Sequence, residues 1–309
     1  MKTKTYLEIT NEWLELKKLS VKYSTFVKYE SVVNKHINPF FKNYSIDQIN
    51  DELVMTFFNM LFEQKKYANS TLGNIRFVLK SIDHYIQIKY GINECSLSLI
   101  KINKTSDKVL TLTKEQKMSI SNYCFNHYKP VAMATLIALY GGLRIGEICA
   151  LRWENINYEE GYIYIDKTIE RLKTKETNET KTALMVLEPK TFSSKRLVPL
   201  PSFLLEYIKN YQEKITINNI TDYILTNNTK IPDPRTTQYR FRKLCEQFDF
   251  SIKFHSLRHS YATNCVMQEI DTKTLSEILG HSSVGTTLNL YVHSSLDFKK
   301  KQVNKISKL

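Results

Sequence analysis

The sequence predicts a mainly α-helical protein with a small antiparallel β-sheet, an α+β fold class, built as two domains. Through most of residues 6–86, apolar side chains recur every three or four positions, which is the period of an amphipathic helix. After a polar, basic stretch the pattern becomes mixed, and short apolar runs between residues 161 and 200 indicate strands. The loss of periodicity places the domain boundary near residue 106, which gives domains of residues 1–106 and 107–309.

The first domain is predicted to be a bundle of four helices. Each helix carries one apolar stripe, and stripes of this kind form the core of a small bundle. The first helix spans Tyr6–Leu19, the second contains Phe26 to Ile37 with Pro39 just past its end, the third opens at Asn50, and the fourth starts after Ser70. Ser24 or Thr25 is the expected cap of the second helix.

The second domain is predicted to open with three helices. Thr113 begins a capping-box pattern, and Val131–Tyr140 is apolar nearly all round, so we expect that helix to be buried. Gly141 and Gly142 interrupt it. Arg144 then stands at the start of the next helix, predicted to run from Ile145 to Trp153.

Strands are predicted in the middle of the second domain. The three strands lie in Gly161–Asp166, Leu184–Leu187 and Arg196–Leu200, with Pro189–Ser194 as a hairpin turn between the last two. Residues 171–183 are rich in Lys, Thr, Glu and Asn and are predicted to be a loop. Helices at about 203–214 and 236–248 follow.

The composition favours a folded protein with a polyanionic partner. The chain has 309 residues, of which 42% are hydrophobic, and this excludes disorder. Lysine and arginine total 44 against 31 aspartates and glutamates, a net charge of +13. Such an excess favours nucleic acid as a partner. Charge alone leaves a second interpretation open, a basic surface that is simply solvated.

Cysteine usage and hydropathy predict a soluble cytoplasmic protein with no membrane partner. The five cysteines are odd in number, widely spaced and without a C-x-x-C pair, so we interpret them as reduced thiols in apolar surroundings. The first residues show no signal-peptide pattern. The longest apolar segment, Val131–Tyr140, is about half as long as the roughly 18 residues that a membrane span needs.

Two stretches contain arginines and histidines at positions suited to binding an anion. His255 and Arg258 are three residues apart, so in a helix they lie about 60° apart on one side. Arg144, at a predicted helix start, would meet an anion where free backbone N–H groups and the helix dipole also attract one. His255 and His259 could form a zinc pair, but the glutamate of H-E-x-x-H is absent and no third ligand is evident, so no metal is predicted.

The order of these motifs resembles that of a known family. They are Gly141-Gly-Leu-Arg144-Ile-Gly-Glu147, Lys190 in the predicted turn, His255-Ser-Leu-Arg258-His-Ser-Tyr-Ala-Thr, Leu279-Gly-His281-Ser and Tyr291. Each motif is weak alone, but together they resemble the tyrosine recombinase (phage integrase) family, in particular mobile-element site-specific integrases. The first domain resembles that family's helical core-binding domain, which binds DNA, and the second resembles its catalytic domain.

The resemblance implies that two arginines and a tyrosine act directly on a phosphodiester. Arg144 and Arg258 would bind the non-bridging oxygens, because guanidiniums match the charge that grows there in the transition state. Tyr291 would attack phosphorus to form a 3′-phosphotyrosyl link. Glu147 fits an ion pair that supports Arg144. From local sequence alone, Tyr291 could instead complete the apolar helix face that contains Leu288.

Proton transfer is assigned by the resemblance to three further residues. Lys190 would protonate the departing 5′ oxygen, His255 would act as general base, and His281 would hydrogen-bond to the phosphate or assist proton transfer. Lys195 and Lys181 are close in sequence and stay as alternatives to Lys190. One bond replaces another of similar energy, so the resemblance implies no cofactor and no metal, and the sequence contains no G-x-x-x-x-G-K-[ST] motif.

The resemblance also implies partners and leaves the biological role open. The partners would be double-stranded DNA, a homo-tetramer on two DNA sites and accessory DNA-bending or directionality proteins, in the cytoplasm and on the nucleoid when bound to DNA. Integration and excision of a mobile element is the first interpretation. The alternative is a Xer-like chromosomal resolvase or a DNA-inverting recombinase. A catalytically inactive DNA-binding protein is a third, which the complete set of catalytic residues disfavours.

Overall fold

The computed structural model describes residues 4–103, 110–174, 182–189, 194–217, 219–281, 283–291, 300 and 303–304, with the side chains of residues 289–291 left out. The chain divides into two compact units, Met1–Asp107 and Lys108–Leu309. Helices dominate, and the strands form two small antiparallel sheets. The predicted fold class is therefore confirmed. No helix in the described ranges is long and apolar enough to cross a membrane.

The first unit is built of helices joined by short irregular segments in its described residues. Its α-helices are α1 (Tyr6–Ser20), α2 (Tyr23–Val32), α3 (Asn38–Phe41), α4 (Asp51–Glu63) and α5 (Asn69–Tyr90). The predicted apolar stripes supply the core, in which Ile9, Phe57 and Ile75 are fully buried. The Asn50 side chain accepts a hydrogen bond from the backbone N–H of Leu53 at 2.9 Å, so the expected cap of α4 is present.

The second predicted helix differs from the expectation at both ends. It starts at Tyr23, after Lys22, so neither Ser24 nor Thr25 is its cap. Its other end runs through a π-helical turn, Val33–Ile37, directly into α3. Pro39 lies in the first turn of α3, and the helical segment continues through it, so the proline does not end the helix.

The second unit is built around one buried helix. Its helices are α6 (Lys114–Phe125), α7 (Pro130–Gly141), α8 (Ile145–Ala150), α9 (Ser202–Ile215), α10 (Pro234–Glu246), α11 (His255–Met267), α12 (Thr272–Leu279) and α13 (Val284–Tyr291). As expected from its apolar sequence, α7 is buried along most of its length, and α6, α9, α10 and α11 pack against it. α8 is shorter than predicted, because the chain becomes extended at Leu151.

The strands of the second unit form two separate sheets. They are β1 (Ile156–Asn157), β2 (Tyr162–Ile165), β3 (Thr168–Lys173), β4 (Thr182–Leu187) and β5 (Arg196–Pro199). One sheet has the order β1-β2-β5, with Ile163 opposite Val198, and the other pairs β3 with β4, with Ile169 opposite Val186. All pairs are antiparallel. The first sheet packs its β5 edge against α12, and β3 packs against α8.

The predicted hairpin between the second and third strands was wrong. β4 pairs with β3, whereas β5 pairs with β2. Residues 171–173 and 182–183, predicted as part of a loop, are paired strand residues. Their polar side chains concealed the strand pattern. Arg171, for example, donates from its terminal nitrogens to Asp233 at 2.5 Å and to the Thr182 carbonyl at 3.2 Å, so these two nitrogens have partners within the fold.

Candidate active site

The start of α8 holds the first predicted arginine in a fixed position. α7 ends at Gly142, whose φ of 69° is left-handed, and Arg144 is then the residue that precedes α8. Its backbone N–H donates to Glu147 Oε2 at 2.8 Å, and its guanidinium Nη1 donates to Glu147 Oε1 at 2.8 Å. The expected ion pair with Glu147 is present. The Arg144 side chain is 38% exposed, so it can also reach a bound anion.

A second arginine, which the sequence analysis did not identify, binds the same carboxylate. Arg196 in β5 donates from Nη1 to Glu147 Oε1 and from Nη2 to Glu147 Oε2, each at 3.1 Å. Both side chains are buried. The Glu147 carboxylate therefore accepts hydrogen bonds from two guanidiniums and one backbone N–H. Each of its two oxygens accepts two of these bonds.

Arg258 in α11 lies near Glu147 and is almost completely buried. Its Nη1 donates to the Gly142 carbonyl at 2.8 Å, and its Nη2 donates to the Leu279 carbonyl at 2.7 Å. These carbonyls belong to the ends of α7 and α12, where a cation compensates acceptors that the helix leaves open. Arg258 thus joins α11 to the ends of α7 and α12 and adds a buried positive charge to the site.

His281 is held by the turn between α12 and α13. Gly280 has a left-handed φ of 63°, and the His281 ring Nδ1 forms a hydrogen bond of 2.8 Å with Thr287 Oγ1 in α13. Burial, together with the charges of nearby arginines, chiefly Arg258, lowers the pKa of His281 to about 4. The imidazole is therefore neutral near pH 7.

His255 is the first residue of α11, and its ring contacts a second histidine edge to face. The centroids of the His255 and His259 rings are 4.5 Å apart. Partial burial of the ring, with His259 and Arg258 nearby, lowers the pKa of His255 to about 4, although the residue as a whole is exposed.

These residues form a centre with excess positive charge. We define the arginine cluster as Arg144, Arg196 and Arg258 around Glu147. Burial alone would raise the pKa of Glu147, but the three guanidiniums, Arg196 foremost, outweigh it and lower the pKa to about 2. Three cations around one anion leave a positive excess among the described residues. An anion is the ligand that such a centre binds best.

Four of the six predicted catalytic residues have side chains in the part of the chain that the structure describes: Arg144, His255, Arg258 and His281. Tyr291 is the last residue of α13, which packs against α11 and α12, but its side chain lies outside the described part. Lys190 lies outside the described residues, as does Lys181. Of the alternatives to Lys190, Lys195 forms an ion pair with Glu188 at 3.4 Å.

One sequence signal could have revealed Arg196. In β5 the burial alternates, so that Arg196 and Val198 face inward while Leu197 and Pro199 face outward. A charged residue at an inward position of a strand needs a buried partner of opposite charge. The signal was weak because the neighbouring residues on both faces are apolar.

The residues around His255 and His259 do not form a metal-binding group. In the ranges described above, no three or more histidine, cysteine, aspartate or glutamate side chains are grouped so that they could hold a metal ion. The ring contact between the two histidines is instead a packing contact within α11.

The sequence matches one protein family over most of its length. Residues 107–297 match the phage integrase family, and residues 5–62 match its N-terminal SAM-like domain. The chain belongs to the phage integrase family. The resemblance to tyrosine recombinases, expected from the motifs, is thereby confirmed.

Curated relatives include a XerC-like tyrosine recombinase and a transposase from a transposon. The chain is 27% identical over 311 residues to a XerC-like tyrosine recombinase of Caldanaerobacter subterraneus subsp. tengcongensis, covering 93% of this chain and 78% of the relative. It is 25% identical over 265 residues to the transposase from transposon Tn916 of Enterococcus faecalis, covering 78% of this chain and 63% of the relative. The relatives thus include a tyrosine recombinase and a transposase.

Solved structures share the fold. The Tn1549 transposon integrase in complex with transposon right end DNA superposes with a TM-score of 0.80 at 19% identity, covering 99% of this chain and all of that chain. A lambda integrase dimer bound to a core site superposes with a TM-score of 0.67 at 15% identity, covering 94% of this chain and 79% of that chain. At these identities the similarity establishes the fold.

Proposed function

We propose that the protein is a site-specific DNA recombinase that integrates or excises a mobile element by cutting and rejoining DNA through a 3′-phosphotyrosyl intermediate. The arginine cluster carries the proposal. Its positive excess, with neutral His281 beside it, suits a phosphodiester whose negative charge increases in the transition state. In this proposal residues 1–106 form the DNA-binding core-binding domain and residues 107–309 the catalytic domain.

Two arginines act on the scissile phosphate. Arg144 is the exposed member of the arginine cluster, so it binds a non-bridging oxygen directly, while Arg258 acts on the phosphate from the buried side. Glu147 accepts one hydrogen bond from the Arg144 guanidinium and one from the Arg144 backbone N–H, and so it keeps the side chain oriented. An arginine fixed in advance loses little conformational entropy when the phosphate binds, and so it stabilises the transition state effectively.

The covalent step exchanges one phosphoester bond for another. The Tyr291 phenol has an ordinary pKa of about 10, so it needs a base near neutral pH. His255 accepts the phenol proton as the Tyr291 oxygen bonds to phosphorus, and Lys190 donates a proton to the 5′ oxygen as its bond to phosphorus breaks. His281 donates a hydrogen bond to the phosphate.

Rejoining reverses these transfers on a new partner. A 5′ hydroxyl from the other DNA site attacks the phosphotyrosyl bond, the phenol oxygen leaves with a proton, and the two strands are exchanged. The energy of the original phosphodiester is kept in the phosphotyrosyl bond. The chain's own residues therefore carry the full cycle in this proposal, without a nucleotide or a metal ion.

The partners follow from the same chemistry. Each active site cuts one strand, and two duplexes have four strands to exchange, so the working assembly is a homo-tetramer on two DNA sites. Relatives of similar fold support this, since lambda integrase has been solved as a tetramer bound to a Holliday junction. Accessory DNA-bending or directionality proteins complete the assembly, which works on the nucleoid in the cytoplasm.

A second candidate function is the resolution or inversion of chromosomal DNA by a Xer-like recombinase. The observation that favours it is the match to the XerC-like recombinase over 93% of this chain. The transposon relatives favour the mobile element. Both functions use the same chemistry and differ in the DNA that is joined.

The experiment that tests the mobile-element function is PCR across the junction formed if the DNA around this gene excises as a circle. Cells carry either the wild-type protein or Tyr291→Phe. We expect the junction with the wild type alone. No junction with either protein would favour the chromosomal function, and a junction that persists with Tyr291→Phe would mean that another protein cuts the DNA.

A further inference from the structure

Arg196 joins the carboxylate that orients Arg144 to the strand β5. Its two terminal nitrogens bind the two oxygens of Glu147, and the same Glu147 oxygens bind the guanidinium and the backbone N–H of Arg144. The Arg196 side chain is only 6% exposed, so contact with DNA does not explain its charge. Its influence on a bound phosphate has to pass through the residues it touches.

The same guanidinium also supports the turn that carries His281. Arg196 Nε donates to the Ile278 carbonyl at 2.5 Å, at the end of α12. A Cβ placed on Gly280 would lie 3.0 Å from Arg196 Nη1 and 3.1 Å from its Cδ and Cζ, so the turn and the arginine are packed together. Movement of Arg196 would therefore disturb both Arg144 and the turn before His281.

Stability alone does not explain an arginine at this position. A buried ion pair loses much of its Coulombic gain to desolvation, and apolar residues of similar size often stabilise a fold as well or better. What an apolar pair could not do is hold an ionised carboxylate against Arg144. The arrangement keeps Arg144 fixed while leaving its side chain partly exposed.

We propose that Arg196 is a positioning residue of the recombination reaction. By binding Glu147 and packing against Gly280, it holds Arg144 and His281 in the arrangement that receives the scissile phosphate. The inference rests on the proposed function, because it assigns Arg196 a part in binding the same phosphate.

The first test is Arg196→Lys, which keeps the positive charge. A lysine cannot bind both Glu147 oxygens as a planar fork and also donate to the Ile278 carbonyl. On a DNA duplex containing the recombination site, we expect covalent adduct formation in a single turnover to slow by about 100-fold, as for a small misplacement of a catalytic group, with DNA affinity unchanged. A wild-type rate would overturn the inference.

The chain offers a matched control in Arg171→Lys. Arg171 lies in the same unit and also binds a carboxylate, Asp233, at 2.5 Å, but it has no described hydrogen bond to Arg144, Glu147 or His281. We expect this variant to form adduct at the wild-type rate. A similar slowing in both variants would mean that any lost ion pair reduces activity, and the positioning role would be rejected.

A double-mutant cycle separates positioning from folding. If Arg196 acts through Arg144, then Arg196→Lys should slow the reaction much less in an Arg144→Lys background than in the wild type, because the two changes remove the same arrangement. If Arg196 only stabilises the fold, the two losses should multiply. Multiplied losses would overturn the inference.

A further variant covers the case in which Arg196→Lys does not fold. The double variant Glu147→Gln with Arg196→Met removes both charges of the buried Arg196–Glu147 pair and keeps similar volumes. Arg144 also loses its carboxylate partner, but its side chain is partly exposed, so water can solvate it. We expect it to fold and to show the same slow adduct formation, and a wild-type rate would overturn the inference. Absence of adduct with the wild-type protein would instead overturn the proposed function itself.

Discussion

The charge of each site residue is set by its neighbours. Glu147 stays ionised in a buried position because guanidiniums surround it. His281 stays neutral because burial, and then the same cations, lower its pKa. A neutral imidazole can accept or donate a hydrogen bond beside a phosphate. A bound phosphate would offset the arginines and raise the pKa of His281, so DNA binding and proton uptake should be coupled.

This state of His281 predicts a pH dependence of stability. Its pKa is about 4 in the folded protein and about 6.5 in the unfolded chain, so its contribution to stability is complete above pH 6.5 and is lost as the pH falls toward 4. His281→Gln keeps a polar side chain but cannot take up the proton. Between about pH 7 and pH 5, the free energy of unfolding should fall by about 1–2 kcal/mol less in this variant than in the wild type.

The measurement is urea unfolding of both proteins at the two pH values, followed by the fluorescence of Trp153 in the same unit. The wild type serves as the reference for every other titrating group, since those groups are shared. An identical fall in stability in the two proteins would contradict the pKa assigned to His281.

At the residue scale, the sequence predicted those site residues that belong to motifs. Arg144, Glu147, His255 and Arg258 stand at recognisable spacings, and the ion pair between Arg144 and Glu147 was expected. Arg196 was not identified, because its partner Glu147 is 49 positions away in the sequence and only the tertiary fold brings the two side chains together. The catalytic roles of all six predicted residues stay predictions from the family pattern.

At the scale of elements, sequence patterns within one segment predicted the helices, whereas the pairing of the strands was predicted wrongly. The helical period and the caps at Asn50 and Thr113 gave most helices within a few residues, because those signals are local. The hairpin prediction failed because strand pairing depends on which strands share a core. Residues 171–173, the second half of β3, were predicted as a loop, and this left β4 without its true partner.

The end of α7 gives a prediction at the same scale. Gly142 has a left-handed φ, and a Cβ there would lie 2.4 Å from a ring carbon of Tyr261. Gly142→Ala should therefore combine backbone strain with overpacking and destabilise the second unit by about 2–5 kcal/mol. Since the Gly142 carbonyl accepts from Arg258, adduct formation should also slow.

Gly91→Ala is the matched control for this change. Gly91 ends α5 with a φ of 71°, but nothing lies within 4 Å of a Cβ at that position. It should cost only the backbone strain, about 1–2 kcal/mol. Urea unfolding of each unit, followed by its own tryptophan, Trp13 or Trp153, gives both values. Equal losses in the two variants would contradict the proposed overpacking against Tyr261.

At the scale of the whole molecule, the sequence predicted the class of protein better than it predicted which DNA the protein joins. The net charge of +13, the helical first unit and the ordered motifs of the second all pointed to a DNA recombinase, and the family match agrees. Which DNA is joined depends on side chains that read base edges and on the location of the sites. Neither is encoded in the periodicity or the motifs.

The central claim is that Tyr291 becomes covalently joined to DNA beside the arginine cluster. The direct measurement is mass spectrometry of the protein trapped on a nicked duplex that carries the recombination site, with Tyr291→Phe as the control. We expect one peptide, the one containing Tyr291, to carry a 3′-linked nucleotide, and the control to bind the duplex without forming an adduct. A nucleotide on another residue, or an adduct in Tyr291→Phe, would contradict the account.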